Sequence, residues 1–194
     1  MAKLIFRYGA MGASKTANAL MVKFNYEERG QKCLLLKPCC ECRDGHGIIR
    51  SRIGLKAKVD DTVEGFVNKV LKATGKFGHV DAIIVDEVQF LEPKYVDELA
   101  KIVDSCGIPV ICYGLKTDFM GNLFDASKRL VELADNLEEI PTICWCGCKA
   151  RFTARIKDGE VVRGGMQMEQ GGNESYVALC RKHFMSGRLG AQDI

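Results

Sequence analysis

The amino-acid sequence predicts an α/β fold: a mostly parallel, doubly wound sheet followed by a smaller cysteine-bearing unit. Three observations carry this. Short continuous apolar runs recur through the first two thirds of the chain: Leu4-Ile5-Phe6, Cys33-Leu34-Leu35-Leu36, Ala82-Ile83-Ile84-Val85 and Val110-Ile111-Cys112-Tyr113. Strands buried on both faces read this way. Helical spacings of apolar residues lie between the runs, which makes repeated βα units with helices on each face. After Pro141 this alternation stops, and Cys, Gly and hairpin signals replace it.

The elements follow in order. The first strand, 4–6, runs into a Gly-rich loop, residues 9–16, and a helix over 16–29 ended by Gly30. The run 33–36 is the second strand. Asp61 caps a helix whose apolar face is Val63, Phe66, Val67, Val70 and Leu71, ended by Gly75. After the strand 82–85, Pro93 starts a helix carrying Val96, Leu99, Ala100 and Val103, stopped by Gly107. The strand 110–113 follows, and Ser127 caps a short helix through Ala134. A boundary near Ile140 divides the chain into a nucleotide-binding unit, 1–140, and a second unit, 141–194. In the second unit, 152–162 is a hairpin turning at Asp158-Gly159. Residues 164–172 form a Gly-rich loop, and 176–183 returns to the Cys-bearing side.

Length and composition narrow the function. The 194 residues allow one good core and a small appendage. Hydrophobic (47%) and charged (27%) fractions are those of an ordinary globular protein. The formal net charge of +3, with no basic stripe interleaved with aromatics, argues against nucleic acid as a partner. No apolar stretch is long enough to span a membrane, and the N-terminal segment reaches Arg7 and the Gly loop without a secretory apolar region. A cytoplasmic protein is expected. In that setting ten Cys point to metal where clustered and to packing where scattered. Cys33, Cys106 and Cys112 are read as packing residues.

The loop Gly9-Ala10-Met11-Gly12-Ala13-Ser14-Lys15-Thr16 sits between a strand and a helix. Its backbone N–H groups and the positive helix end can cradle a polyphosphate, Lys15 can reach the outer phosphates, and Thr16 can hold Mg²⁺. The pattern normally has Gly where Ser14 stands, because the backbone bends tightly there. A Gly-rich turn that binds nothing is the competing reading. Asp86-Glu87 follows the 82–85 run, and the expected strand lies beside the strand of the phosphate loop. Asp86 there can hold Mg²⁺, and Glu87 can face the terminal phosphate and accept a proton from water or a substrate hydroxyl. Cys144, Cys146, Cys180 and His183 have the layout of a structural zinc ribbon, with Cys148 in reserve. Cys39, Cys40 and Cys42, with His46, lack a second half-site and read as incidental thiols. His79 reads as a turn residue.

Together these pieces resemble the cellular-type (type II) thymidine kinases, in their bacterial form, from about Leu4 to about Phe184. The phosphate loop is similar to the family's G-x-M-x-x-G-K-[ST], including Met11. Lys37-Pro38 with Glu41 and Arg43, then Ser51-Arg52-Ile53-Gly54, resemble its K-P-x-x-D-x-R and S-[RH] segments. Asp86-Glu87-Val88-Gln89-Phe90 resembles D-E-x-Q-F, and Tyr113-Gly114-Leu115-Lys116-Thr117-Asp118-Phe119 matches Y-G-L-x-T-D-F. Gly171-Gly172, Tyr176 and the C-x-x-H pair complete the set.

The resemblance implies a RecA-like P-loop domain plus a small zinc-ribbon and "lasso" domain. It implies transfer of the γ-phosphate of ATP to the 5′-hydroxyl of thymidine, with deoxyuridine as an alternative acceptor, in nucleotide salvage. Glu87 would be the general base, and residues 9–16 with Arg43 would bind ATP. Mg²⁺ would sit on Thr16 and Asp86. Met11, Asp86, Glu87, Gln89, Phe90, Leu115, Phe119, Thr153, Gly171, Gly172 and Tyr176 would contact the nucleoside. It also implies a homotetramer and thymidine triphosphate as feedback inhibitor. Ser14 and Glu41, which replaces an Asp, depart from the family pattern. An ATPase without a nucleoside substrate, and a zinc-ribbon nucleic-acid binder, are the competing readings.

Overall fold

The computed structural model describes residues 1–41, 47–72, 79–165 and 176–190. The chain begins with β1 (Leu4–Tyr8), α1 (Lys15–Glu27) and β2 (Cys33–Lys37). A small hairpin follows, β3 (Ile48–Arg50) with β4 (Lys56–Lys58), then β5 (Asp61–Thr62) and α2 (Val63–Lys72). Next come β6 (Ala82–Val85), a 3₁₀ turn (Val88–Phe90), α3 (Pro93–Cys106), β7 (Val110–Gly114), α4 (Asp125–Leu133) and β8 (Asn136–Glu139). The main sheet runs in the order β5-β2-β6-β7-β1-β8, and every ladder in it is parallel.

Alternation along the strands divides the core into two layers. Ile83 and Val85 of β6, Phe6 of β1 and Cys112 of β7 pack with Val63 and Val67 of α2, Val96 and Leu99 of α3, and Leu130 of α4. Ala82 and Ile84, with Leu35 of β2 and Ile111 of β7, pack on the other face with Ala19 and Leu20 of α1 and Ile49 of β3. Helices on both faces bury both sides of the strands, which is why the four runs are uniformly apolar. This is the doubly wound architecture the sequence predicts.

Local details differ from the expectation in informative ways. Thr62, not Asp61, caps α2: its hydroxyl accepts the Gly65 N–H at 3.0 Å, while the Asp61 carboxylate accepts the Thr62 N–H at 2.8 Å. The end of that helix expected at Gly75 lies outside the described residues. Ser127 is not a cap but sits inside α4, and its hydroxyl donates to the Leu115 carbonyl at 2.6 Å. Cys33 and Cys112 are buried as expected, whereas Cys106 is exposed at the end of α3. α3 itself keeps its predicted bounds, with Pro93 first and Gly107 following in a left-handed conformation.

The edge strand β8 carries Asn136-Leu137-Glu138-Glu139 and has no apolar run to announce it. Pairing with β1 and a bond from Arg7 Nε to Glu138 Oε2 (2.7 Å) hold it in place. Arg7 also donates to the Tyr113 hydroxyl (2.8 Å), and that hydroxyl donates to Asn18 Oδ1 (2.9 Å). A polar chain thus fixes the first turns of α1 over β7 and β1.

From Thr142 the architecture is antiparallel. β9 (Thr142–Ile143) pairs with β10 (Lys149–Ala150), and β11 (Phe152–Lys157) lies between β12 (Glu160–Val161) and β13 (Tyr176–Leu179), before α5 (Arg181–Ser186). Asp158 and Gly159 both take positive φ, 53° and 82°, as a two-residue hairpin turn of this hand requires. Cys144, Ala150, Ala154, Leu179, Cys180 and Phe184 form a separate small core.

Candidate active site and metal centre

The site gathers at the carboxyl edge of the parallel sheet, where β1, β6 and β7 end. The chain leaves β1 through Gly9, and a Cβ there would lie 2.5 Å from the Ile140 carbonyl oxygen and 2.9 Å from Ala13 Cβ. Only Gly fits this close approach of backbone to backbone. Ser14 is the residue before α1, in the left-handed region at φ 56°, ψ 28°. This is the conformation that Gly would occupy without penalty, and Ser accepts it at a cost. The buried Lys15 side chain folds back over the loop, its Nζ donating to the carbonyls of Gly9 (3.1 Å) and Ala10 (3.0 Å). The Met11 N–H donates to Thr153 Oγ1 at 2.9 Å, which docks β11 directly on the phosphate loop.

Asp86 follows β6 and is 2% exposed. Burial pushes its carboxyl up to about 7, and the neighbouring charge of Glu87 adds to this. A hydrogen bond with the Thr16 side chain, the Glu87 N–H at 3.0 Å and the charge of Lys15 act in the opposite sense. The Thr16 side chain and the Lys15 charge thus bring the phosphate loop to the acidic pair. The sequence analysis placed β6 next to β1; in the structure β7 lies between them. The inserted strand adds one strand spacing between loop and carboxylates, about 4.8 Å, and brings the loop after β7 into the site.

Glu87 has φ 53°, a second non-glycine residue in the left-handed region. Gln89 fixes its side chain. Gln89 is 3% exposed; its Nε2 donates to Glu87 Oε2 at 2.5 Å, and its Oε1 accepts the Leu115 N–H at 3.0 Å. The backbone donor at Leu115 settles which end of the amide is oxygen, so the NH₂ end faces Glu87. Gly114 makes room for this: a Cβ there would fall 2.6 Å from Gln89 Oε1. The sequence reading listed Gln89 only among nucleoside contacts, and its bracing of Glu87 becomes visible only in three dimensions.

The loop between β7 and α4 frames the opposite side. Asp118 Oδ1 accepts the N–H groups of Met120 and Asn122, each at 2.9 Å, and buried Phe119 projects from this turn. Phe90 meets Phe124 edge-on, with ring centres 6.1 Å apart. Arg155, which the sequence analysis did not single out, packs on Phe119. Its signal was its spacing, two residues beyond Thr153 on one strand face. Tyr176 pairs with Arg155 across β13 and β11. Lys37 and Glu41 form a buried ion pair, Nζ to Oε2 3.3 Å, at the end of β2. Of the remaining expected site residues, Ala10, Gly12 and Ala13 lie in the phosphate loop, while Arg43, Gly171 and Gly172 lie outside the described residues, as do Cys42 and His46.

The second cluster is compact. The ligand atoms of Cys144, Cys146, Cys180 and His183 all lie within 4.8 Å of one another. Cys146 and Cys180 sulfurs are 3.9 Å apart, and His183 Nδ1 is 3.4 Å from the sulfurs of both Cys144 and Cys180. A tetrahedral zinc with Zn–S near 2.3 Å needs sulfurs roughly 3.8 Å apart, so the set fits that ion. Burial raises the Cys144 thiol, but the backbone N–H groups of Cys146 and Cys180 and the His183 side chain outweigh it and bring it down to about 6. Trp145 stacks on His183, ring centres 4.3 Å apart. Exposed Cys148 stands outside the four; its carbonyl accepts the Cys144 N–H and so shapes the turn. His79 is exposed, outside any helix, strand or turn, and pairs with Asp81, and Cys39 and Cys40 are exposed thiols.

Two predictions follow from this geometry. Elemental analysis should find about one zinc per chain, retained in Cys148→Ser and lost in Cys180→Ser; zinc lost from the first variant would place the ligand set wrongly. Ser14→Gly should raise unfolding free energy by about 0.5–1 kcal/mol, the left-handed penalty less the added unfolded-state freedom of Gly. Denaturant titration checks this, and a destabilised variant would mean that the Ser14 side chain supplies a compensating interaction.

Comparison with known proteins agrees with this arrangement. The family model described as thymidine kinase matches residues 2–184. A thymidine kinase of Rhizobium etli is 43% identical over 194 residues, covering 98% of this chain and 97% of the relative. One from Zymomonas mobilis is 43% identical over 187 residues, covering 95% and 97%. One from Lactococcus lactis is 43% identical over 195 residues, covering 97% and 100%. With a match of this identity along nearly the whole length of both partners, and a phosphate loop joined to an acidic pair, the chain belongs to the thymidine kinase family.

Proposed function

We propose that this protein transfers the γ-phosphoryl group of ATP to the 5′-hydroxyl of thymidine, with deoxyuridine as an alternative acceptor, in nucleotide salvage. The observation that carries the reading is the buried Asp86 facing Thr16 and Lys15 of the loop, with Glu87 braced beside it by Gln89. It joins the phosphate-binding element, a cation-binding carboxylate and a candidate base in one place.

Each residue then has a physical task. The loop amides of residues 9–16 and the N-terminal end of α1 hold the triphosphate, and Lys15 turns from the Gly9 and Ala10 carbonyls to the outer phosphates. Thr16 and Asp86 would hold Mg²⁺, which offsets charge on the β- and γ-phosphates. Glu87 takes the proton of the 5′-hydroxyl as that oxygen bonds to the γ-phosphorus. The bond from phosphorus to the β,γ-bridging oxygen breaks, and ADP leaves. Gln89 holds the carboxylate in line, and Arg43 is suited to stabilise charge on the transferred group. Met11, Phe90, Leu115, Phe119, Thr153 and Tyr176 wall the nucleoside, and Gly171 and Gly172, outside the described residues, are assigned to contacts with the base by the family resemblance alone.

The same reading covers the rest of the molecule. Residues 1–140 act as the nucleotide-binding unit and 141–194 as the zinc-ribbon and lasso unit, with a structural metal. α1 leaves Met21 and Phe24 57% and 61% exposed beside Leu55, an apolar face that a homotetramer would cover. Thymidine triphosphate, which combines features of both substrates, is the expected feedback inhibitor. No described helix is long and apolar enough to cross a membrane, and a cytoplasmic location is part of the proposal.

Purified protein should form ADP from ATP only slowly until thymidine is added. Equal ADP formation with and without nucleoside would identify an ATPase instead. Glu87→Gln should bind ATP normally and lose roughly two to four orders of magnitude in turnover, the span of a general base. Turnover within a few-fold of the parent would remove Glu87 from the proton transfer.

A further inference from the structure

Arg155 is a buried cation on the strand that meets the phosphate loop. It is 5% exposed, in the middle of β11. Its guanidinium carbon lies 3.8 Å from the centre of the Phe119 ring and 5.7 Å from the centre of the Tyr176 ring. Its Nε donates to the Tyr176 hydroxyl at 3.2 Å. One planar cation therefore binds together the loop after β7, strand β11 and the first residue of β13.

Burying a guanidinium is costly, and an apolar side chain of similar volume would pack the same space without that cost. The features that offset the cost here belong to Arg: a flat face for stacking on rings and a directional N–H fork. Stability alone therefore does not account for it. Position does. Thr153, two residues away on the same strand face, is bonded to the phosphate loop at Met11. Leu115, four residues before Phe119, is bonded to the Gln89 that braces Glu87. Both segments lead to Arg155: Thr153 along β11, and Leu115 through Phe119.

We propose that Arg155 is a positioning residue for the nucleoside: it holds Phe119 and Tyr176 as the walls of a slot for a flat base. This rests on the thymidine-phosphorylation reading above. Arg155 acts through the two rings and takes no part in the transfer itself. The proposal separates its effect from that of Glu87, because wall geometry governs acceptor binding and leaves the phosphate loop untouched.

The test uses the full-length protein. Arg155→Met should raise KM for thymidine about tenfold or more, with kcat at saturating thymidine and KM for ATP each within about threefold of the parent. Arg155→Lys, which keeps charge but not the flat stack, should fall between parent and Met. Tyr176→Phe, which keeps the ring and removes only the acceptor for Nε, should raise KM for thymidine a few-fold. Added to Arg155→Met, it should change nothing further. Should the Met variant fail to fold, the Lys and Phe variants decide the matter on the same ratio. KM values for both substrates rising in parallel, or an unchanged KM for thymidine, overturns the proposal. Calorimetric titration of the parent with thymidine separates the two levels. A parent that neither binds nor phosphorylates thymidine brings down the underlying reading, and with it this one. A parent that does both, with indifferent variants, removes Arg155 alone.

Discussion

The burial of Asp86 at the end of β6, beside Glu87 and facing the phosphate loop, is the constraint on which the rest depends. It brings the first turn of α1 and the end of β6 to one place. Burying a carboxylate there is unfavourable, the neighbouring charge of Glu87 adds to the penalty, and the elevated Asp86 carboxyl expresses both. Groups that lessen the penalty converge from the phosphate loop: the Thr16 hydroxyl and the Lys15 charge. A parallel sheet makes such convergence inexpensive, because all strands end on the same edge and every crossover starts there. The site is thus an outcome of topology first and of side-chain chemistry second.

Backbone strain marks the same places. Ser14 in the phosphate loop and Glu87 in the acidic pair are both left-handed. Strain of this kind persists where the surroundings over-determine it. Around Glu87 the over-determination is visible: a buried Gln89 amide bonded at both ends, and a Gly114 that no larger residue could replace without displacing it. The proposed base is therefore held by backbone and neighbour alike, which suits a group that must meet one proton at one distance.

Much of this was legible in the chain. The four apolar runs specified the central strands because burial on both faces leaves no other composition. The phosphate loop, the acidic pair and the zinc ligands were legible because their chemistry demands fixed residue types at near-fixed spacing. What escaped was set by tertiary partners. β8 has no apolar run to mark it, and only its ladder with β1 and the Arg7–Glu138 pair make it a strand. Ser127 reads as a cap until its hydroxyl finds the Leu115 carbonyl. The position of β7 between β1 and β6 is a matter of strand order, on which local pattern is silent. Arg155 had no motif, only a parity with Thr153 that matters once β11 is seen to face the phosphate loop.

The Cys144, Cys146, Cys180 and His183 cluster, remote in sequence from the phosphate loop, is linked to it through β11. The four ligands come from the β9–β10 turn and from the start of α5, so the ion would tie both ends of the small core together. β11 crosses that core, with Ala154 inside it, and presents Thr153 to the Met11 N–H on its opposite face. A small core of this kind rarely holds a single conformation without a metal or a disulfide. A metal there would therefore fix β11, and β11 meets the phosphate loop through the Met11–Thr153 bond.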